Sequence, residues 1–269
     1  MLKNYLKITI RNIVKHKGYF SINIVGLAIS IAACILISLW VVDELSYDRF
    51  NKNADRIYRV YGAGKVNKQD LSFAMTAAPL GETLYKDCPE VETYTRIWAQ
   101  RNSPVVRYGG KIYNEKHFLY ADSTFFEVFT AEFIKGNAKT ALAQPGTVVL
   151  TETTARRYFG DANPLGKILN LDKNDNYTVT GVIKNFPSEA HFHFDFMGSL
   201  SSINSSRNPS WLESQWYTYL FLKQGTNIPE FQKKLNDEYI KYLGPQLLAY
   251  SGITLKQLEM TGSKVGLFL

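Results

Sequence analysis

The sequence has few of the residues that build covalent or chemical sites. Among its 269 residues are two cysteines, Cys34 and Cys88, and four histidines. Two cysteines so far apart do not make the disulfide framework of a small secreted domain. The motifs of a nucleotide-binding P-loop, a zinc protease (HExxH) and a serine hydrolase (GxSxG) do not occur in it. We therefore expect no ATPase and no other active site in this chain, and so not an enzyme.

Positive charge is concentrated at the N-terminus. The formal net charge is +7, but five of the 31 basic residues and none of the 24 acidic residues lie in residues 1–42. The remaining chain is nearly balanced. A nucleic-acid-binding domain carries its basic residues as a stripe on the folded surface. The distribution therefore predicts no nucleic-acid partner.

Residues 21–42 form a run of 22 residues without a charge. As a helix this run would be roughly 33 Å long, enough to cross a hydrocarbon core of about 30 Å. Basic residues precede the run, and Asp43 and Glu44 end it, so the positive-inside rule places the N-terminus in the cytoplasm and exports residues 43–269. The rival interpretation, a cleaved signal peptide, normally has a shorter apolar run and a small-residue cleavage site. We therefore predict one transmembrane helix at residues 21–42 in the bacterial inner membrane.

The segment before this run has apolar residues at roughly helical spacing with basic residues between them. Residues 1–20 therefore predict a cytoplasmic, basic, amphipathic helix lying on the lipid bilayer, with Gly18 as its break. The alternative is that these charges serve only to orient the membrane helix.

Small residues recur every four positions in the predicted membrane helix. Gly26, Ser30 and Cys34 form one such line, and Ala28 and Ala32 form another. In a bilayer, a line of small residues lets a second helix approach closely. We therefore predict Gly26, Ser30 and Cys34 as a transmembrane packing site, although a lone anchor can also contain small residues.

Residues 43–269 alternate irregularly between strand and helix patterns, which predicts an α+β fold with a mixed or antiparallel sheet. No Pro- or Ser-rich linker or internal repeat divides this region. Helices are predicted from Pro79 to before Pro89, from Asp122 to Phe129, from Thr151 to Gly160, and from Asn227 to Leu243, where Gly244 and Pro245 would end the last one. Strands are predicted at Arg56–Val66, Val91–Trp98, Lys111–Tyr120, Thr147–Leu150, Lys167–Leu171, Tyr177–Ile183, Phe192–Met197 and Tyr217–Leu222.

The best metal candidate is the pattern His191-x-His193-x-Asp195. On a strand these three side chains would share one face. A zinc site also needs well-placed additional ligands and supporting hydrogen bonds, and the only other histidines are His16 and His117. Packed or surface histidines are the better interpretation.

Asp172-x-Asn174-x-Asn176 resembles the start of a calcium-binding loop. The sixth position is Tyr177 instead of glycine, and the twelfth is Ile183 instead of glutamate. We therefore interpret this segment as a hairpin tip, and we expect residues 43–269 to fold without a cofactor or metal.

Several longer stretches, in this order and spacing, are typical of one family. The stretches are DELSYDRF and DRIYRV within Asp43–Val60, FFEVF at Phe125–Phe129, FIKGNAKTAL at Phe133–Leu142, PGTVVLTETTARRYFGDANPLGK at Pro145–Lys167, and YTVTGVIKNFPSEAHFHFDF at Tyr177–Phe196. Together they resemble the extracytoplasmic core domain of the permease subunits of MacB/FtsX-type ABC transporters. Their glycines and prolines suit turns and their apolar residues suit strands and short helices. They identify a fold and mark no catalytic residue.

The resemblance implies a role in ATP-driven transport or efflux. Such permeases transmit motion from a separate cytoplasmic ATPase to an extracytoplasmic domain, which handles a substrate or partner. It implies as partners that ATPase, a second permease copy, and a periplasmic or outer-membrane protein. It also implies three membrane helices after the domain, so we expect this chain to be a permease fragment.

Two other classes of function are open. A single-pass sensor or ligand-binding ectodomain would have one anchor, but residues 1–20 are too short for a cytoplasmic output domain. A membrane-tethered enzyme would need a catalytic cluster, and the sequence shows no motif for one.

Overall fold

The computed structural model describes residues 2–66, 69–99, 103–172 and 175–269. The chain divides into two compact units, residues 1–48 and 49–269. The first unit contains helix α1 (Leu2–Lys15) and helix α2 (Lys17–Ser46), and no residue of α2 is buried. By length and composition α2 is the one candidate membrane span among the described residues.

Helix α2 extends four residues beyond the uncharged run at each end, and it includes Asp43 and Glu44. The break between α1 and α2 falls at His16, whose backbone is not helical (φ −120°, ψ 50°). The predicted break at Gly18 is wrong. Gly18 lies in the first turn of α2, where the backbone N–H groups have no helical partner in any case.

The second unit is built on one large mixed sheet. The described α-helices of this unit are α3 (Leu80–Asp87), α4 (Phe125–Val128), α5 (Glu152–Phe159), α6 (Ile228–Ser251) and α7 (Leu255–Met260), of which α7 packs against α6. The described strands are β1 (Ile57–Val66), β2 (Gln69–Phe73), β3 (Thr76–Ala77), β4 (Val91–Ala99), β5 (Val105–Tyr108), β6 (Lys111–Asn114), β7 (Phe118–Ala121), β8 (Phe133–Gly136), β9 (Thr147–Thr151), β10 (Ile168–Leu171), β11 (Asp175–Ile183), β12 (Phe196–Ser199), β13 (Ser214–Leu222) and β14 (Lys264–Phe268).

The described sheet runs in the order β14-β1-β13-β4-β7-β12-β9-β11-β10-β5-β6, with β2 on β1, β3 on β13 and β8 on β11. The pairs β9–β11 and β7–β12 are parallel, and the other described pairs are antiparallel. The predicted α+β class with a mixed sheet is confirmed.

Strand β9 shows why the middle of the sheet reads as an uninterrupted apolar run. All five of its residues are buried. Val148 and Leu150 pack in one core cluster with helix α5, whereas Val149 packs in a second cluster with helix α4. Because successive side chains of a strand point to opposite faces, a strand covered on both faces needs apolar residues throughout.

A third core cluster lies between helices α3 and α6 and strands β1 and β13. Leu80 and Leu84 of α3 meet Phe231 and Leu235 of α6 against Leu220. These side chains are almost fully buried. They attach helix α6 to the sheet.

Two predicted strands differ from the structure. Lys111–Tyr120 is divided into β6 and β7, because Glu115 turns inward and accepts hydrogen bonds from Arg157 and Tyr158 of α5. The predicted strand from Phe192 begins only at Phe196 as β12. The preceding residues form an irregular segment, in which Phe192 packs against Phe129 with ring centroids 5.0 Å apart.

Helix α6 does not end at Gly244 and Pro245, as the sequence predicts. It continues to Ser251 and ends at Gly252, whose φ is +70°. Contacts beyond the proline stabilise this extension: the Gln246 side chain accepts a hydrogen bond from Trp211 N (2.7 Å) and donates one to Pro209 O (3.1 Å). The predicted start is confirmed, because the Asn227 side chain accepts a hydrogen bond from Glu230 N.

Candidate functional site

The small residues of helix α2 form a narrow line on its exposed surface. Ser38 extends the line of Gly26, Ser30 and Cys34 by one turn, and Ser30, Cys34 and Ser38 line one shallow groove. The Ser30 hydroxyl donates a hydrogen bond to Gly26 O at 2.8 Å, so the helix itself satisfies this polar group. The small side chains therefore leave a shallow surface on the helix, and the Ser30 hydroxyl on that surface is already hydrogen-bonded.

The geometry of this line favours helix packing at an angle. Four residues of an α-helix turn through about 400°, so each step from Gly26 to Ser30 to Cys34 advances about 40° around the axis. A line that winds in this way suits a partner helix that crosses α2 obliquely. No atom from beyond the local backbone lies within 4 Å of a Cβ placed on Gly26. The packing role of these residues stays a prediction.

The histidine-rich segment does not form the strand that a metal site would need. His191 Nε2 lies 2.6 Å from the Tyr219 hydroxyl. Asp195 instead faces His117, with Oδ2 3.4 Å from Nδ1. Within the described part of the chain, no three His, Cys, Asp or Glu side chains are placed to hold a metal ion.

The predicted β10–β11 hairpin is confirmed, with Asp172 of the calcium-like segment directly after β10 and Asn176 within β11. Asp172 has a positive φ of 50°, and its Oδ1 accepts a hydrogen bond from Val105 N at 3.0 Å. Its carbonyl oxygen accepts one from Arg107. Asp172 therefore fastens the hairpin to β5, while Asn174 lies outside the described residues.

Cys88 is completely buried at the end of helix α3. Burial raises the pKa of its thiol to about 11, because a thiolate would lose its hydration there. At neutral pH the residue is a neutral thiol in the core, which suits packing better than nucleophilic chemistry.

Two part-buried or buried carboxylates of the domain bind arginines. Asp122 accepts three hydrogen bonds from Arg96 at 2.8–2.9 Å and does not cap helix α4, which begins after Thr124. Glu115 accepts two from Arg157 at 2.8 Å and one from the Tyr158 hydroxyl at 2.6 Å. Both groups join separate chain segments, so their geometry indicates a structural role.

The profile of the MacB-like periplasmic core domain family matches residues 20–238. The chain belongs to this family. The match starts inside helix α2 and ends inside helix α6, so it includes most of the candidate membrane helix and every described strand of the sheet except β14. No curated protein sequence matches the chain.

Solved structures with the same fold support this assignment. One is a domain of a protein described as a permease from Porphyromonas gingivalis, with a TM-score of 0.65 and 20% sequence identity over 81% of this chain and 90% of that one. Another is the periplasmic region of MacB from Actinobacillus actinomycetemcomitans, with a TM-score of 0.51 and 13% identity over 79% of this chain and 88% of that one. At these identities the similarity shows the fold.

Family membership assigns residues 20–238 to the MacB-like periplasmic core domain family, and the similar solved structures are domains of a permease and of MacB. The sequence identified this family through turn and core residues. It did not reveal a groove between helix α6 and the ribbon β14–β1–β2, because the residues that line it come from segments far apart in the chain. Their local patterns predict only strands and a helix.

Proposed function

We propose that this chain is a permease subunit of a MacB/FtsX-type ABC transporter. In this role, helix α2 carries motion from a separate cytoplasmic ATPase to the extracytoplasmic domain, which handles a substrate or a partner protein. The observation that carries the proposal is the family match, which includes both the membrane helix and the domain.

The charge pattern supports a definite orientation in the membrane. Lys7, Arg11, Lys15 and Lys17 lie in or before the first turn of α2, and its last turn contains the acidic Asp43 and Glu44. This asymmetry favours a cytoplasmic N-terminus in the bacterial inner membrane. A second permease copy, an ATPase subunit and a periplasmic or outer-membrane protein are the proposed partners.

Coupling requires that α2 contact other membrane helices. Lipid provides little hydrophobic drive for helix association, so close backbone approach and dispersion must supply it. The line Gly26, Ser30, Cys34 and Ser38 permits such an approach. A single-pass sensor or ligand-binding ectodomain, the alternative function, would not depend on this line.

The test is Ser30→Leu in the assembled transporter with its ATPase. Leucine inserts readily into a membrane, so insertion should stay normal. Its bulk should separate the helix backbones and reduce both disulfide crosslinking between helices and substrate-stimulated ATPase activity by about fivefold or more. The matched control is Ala32→Leu, which places the same side chain about 200° around the helix.

Three outcomes are decisive. Loss of crosslinking and coupling with Ser30→Leu alone supports the proposal. Loss with Ala32→Leu alone shows that a different face packs. If neither change has an effect, helix α2 is only an anchor, and the sensor or ligand-binding function is the better conclusion.

A further inference from the structure

Helix α6 and the ribbon β14–β1–β2 enclose a groove with a volume of about 780 Å³. Small-molecule sites in proteins are typically clefts of about 300–1,000 Å³ lined mostly by apolar side chains. The family match ends at residue 238, whereas much of the groove wall comes from Ile240 and strand β14. Family membership therefore does not imply this groove.

The groove contains exposed apolar side chains. Phe268 of β14, on the same face of the ribbon as Lys65 and Lys264, is 37% exposed, and Ile240 of α6, which lines the same groove, is 44% exposed. Its floor is low, because Ala63 and Gly266 are directly opposite each other on adjacent strands, share one face and carry at most a methyl group. Exposed apolar surface of this kind gains free energy when an apolar ligand covers it.

The polar groups of helix α6 beside the ribbon are mostly engaged in holding it. Asn236 Oδ1 accepts a hydrogen bond from Leu267 N at 2.8 Å, and the Gln232 side chain donates one to Leu267 O at 2.7 Å. These contacts fix α6 along the outer edge of β14. The groove is therefore held open by a defined packing of helix against strand.

Positive charge is in excess at one end of the groove. Lys65 and Lys264 are directly opposite each other on adjacent strands, and like charges in this position repel. Lys65 pairs with Asp70, with Nζ 3.6 Å from Oδ1. Among the described residues that line the groove, Lys233 and Asp237 bring the totals to three lysines and two aspartates. An anionic group placed between Lys65 and Lys264 would relieve their repulsion.

We propose that this groove binds a single-chain amphiphile with an anionic head group. The acyl chain covers Ile240 and Phe268, and the head group lies by Lys65 and Lys264. This site goes beyond the permease function proposed above. Its test needs no ATPase, so its failure would leave the coupling proposal unaffected.

The test is photo-crosslinking of the full chain in nanodiscs of zwitterionic phospholipid. The probe is decanoate carrying a diazirine near its methyl end, and crosslinked residues are located by mass spectrometry. We expect saturable labelling of residues 233–240 and 264–268. An octanoate probe should need roughly a tenfold higher concentration for half-saturation, because it buries two fewer methylene groups.

Charge and apolar contacts are tested by separate variants. Lys264→Gln should raise the half-saturating concentration about threefold or more, while Lys139→Gln, a change of the same type on an exposed loop, should have no effect. Ile240→Gln should raise it about tenfold. Ile134→Gln is the matched control, because Ile134 is also 44% exposed and lies in strand β8 outside the groove.

Further probes decide whether an anion is recognised. The methyl ester and a trimethylammonium analogue of the same chain should label the groove at least threefold less well than decanoate. Equal labelling by all three probes would overturn the anionic specificity. Labelling confined to helix α2, or labelling that does not saturate, would show that the probe only partitions into the bilayer and that the groove is not a site.

Discussion

Asp122→Asn tests whether the Arg96–Asp122 pair holds the domain together. The two side chains are only 12% and 17% exposed, and the carboxylate accepts Arg96 N, Nε and Nη2 at 2.8–2.9 Å. Arg96 Nη1 also donates to Ala78 O and Ser206 O, both at 2.8 Å. The pair therefore connects β4 with the segment before α3, the segment after β12 and the end of β7.

Asparagine keeps the shape of the side chain but removes its charge, and its amide group is a poor acceptor for three donors. Removing one partner of a buried ion pair costs about 3–5 kcal/mol, because the other charge stays buried without compensation. Since Arg96 keeps its two carbonyl acceptors and some solvent contact, we expect the free energy of unfolding to fall by an amount near the lower limit, about 3 kcal/mol. The measurement is urea denaturation of the full chain followed by circular dichroism.

A matched control separates burial from charge. Glu132 pairs with Lys184 at 2.6 Å, but these side chains are 66% and 56% exposed. Glu132→Gln removes the same charge at the surface and should cost less than about 1 kcal/mol. A double-mutant cycle with Arg96→Met should give a coupling energy of about 2 kcal/mol with Asp122→Asn. If Asp122→Asn costs no more than Glu132→Gln, the pair does not hold the fold.

Two further predictions concern a turn glycine and the topology. Gly136→Ala should lower the free energy of unfolding by about 3 kcal/mol, because φ is +89° and the new Cβ would lie 2.3 Å from Thr180 O. The control Gly109→Ala, where φ is +53° and no atom lies within 4 Å of the new Cβ, should lower it by only about 1 kcal/mol in the same urea denaturation. Equal losses for the two variants would refute the clash at Gly136. A membrane-impermeant maleimide at pH 7 should leave Cys88 unlabelled, because the thiol is buried and burial raises its pKa to about 11. The same reagent should label the variant Lys139→Cys from outside intact cells. Labelling of Lys139→Cys only after lysis would show that the predicted topology is reversed.

Elements whose cause lies within a few residues could be predicted from the sequence. The helix over residues 21–42 could be predicted because an uncharged run of this length has the composition of a membrane span, whose backbone must satisfy its own hydrogen bonds. Helix α5 ends where expected, because Gly160 adopts a φ of +61° that other residues rarely do. The start of α6 at Asn227 likewise depends on one local hydrogen bond.

Features that depend on distant segments could not be predicted in this way. The strand pattern at Lys111–Tyr120 is interrupted because Glu115 finds Arg157 and Tyr158 on another element. Helix α6 passes Pro245 because Gln246 bonds to a loop about 35 residues earlier. A proline inside a helix costs a few kcal/mol, and the helix continues when tertiary contacts contribute a stabilisation of similar size.

The sequence by itself determined the family, a helix with the length and composition of a membrane span, and the α+β class, because each follows from composition and local pattern. Only the tertiary structure decided which strands run parallel, that the histidines do not converge, and that Lys65 meets Lys264 beside an apolar groove. The physical reason is that pairing and packing join residues up to about 200 positions apart. The contact energies of these residues depend on where the rest of the chain places them, and local sequence propensity contains no information about such distant partners.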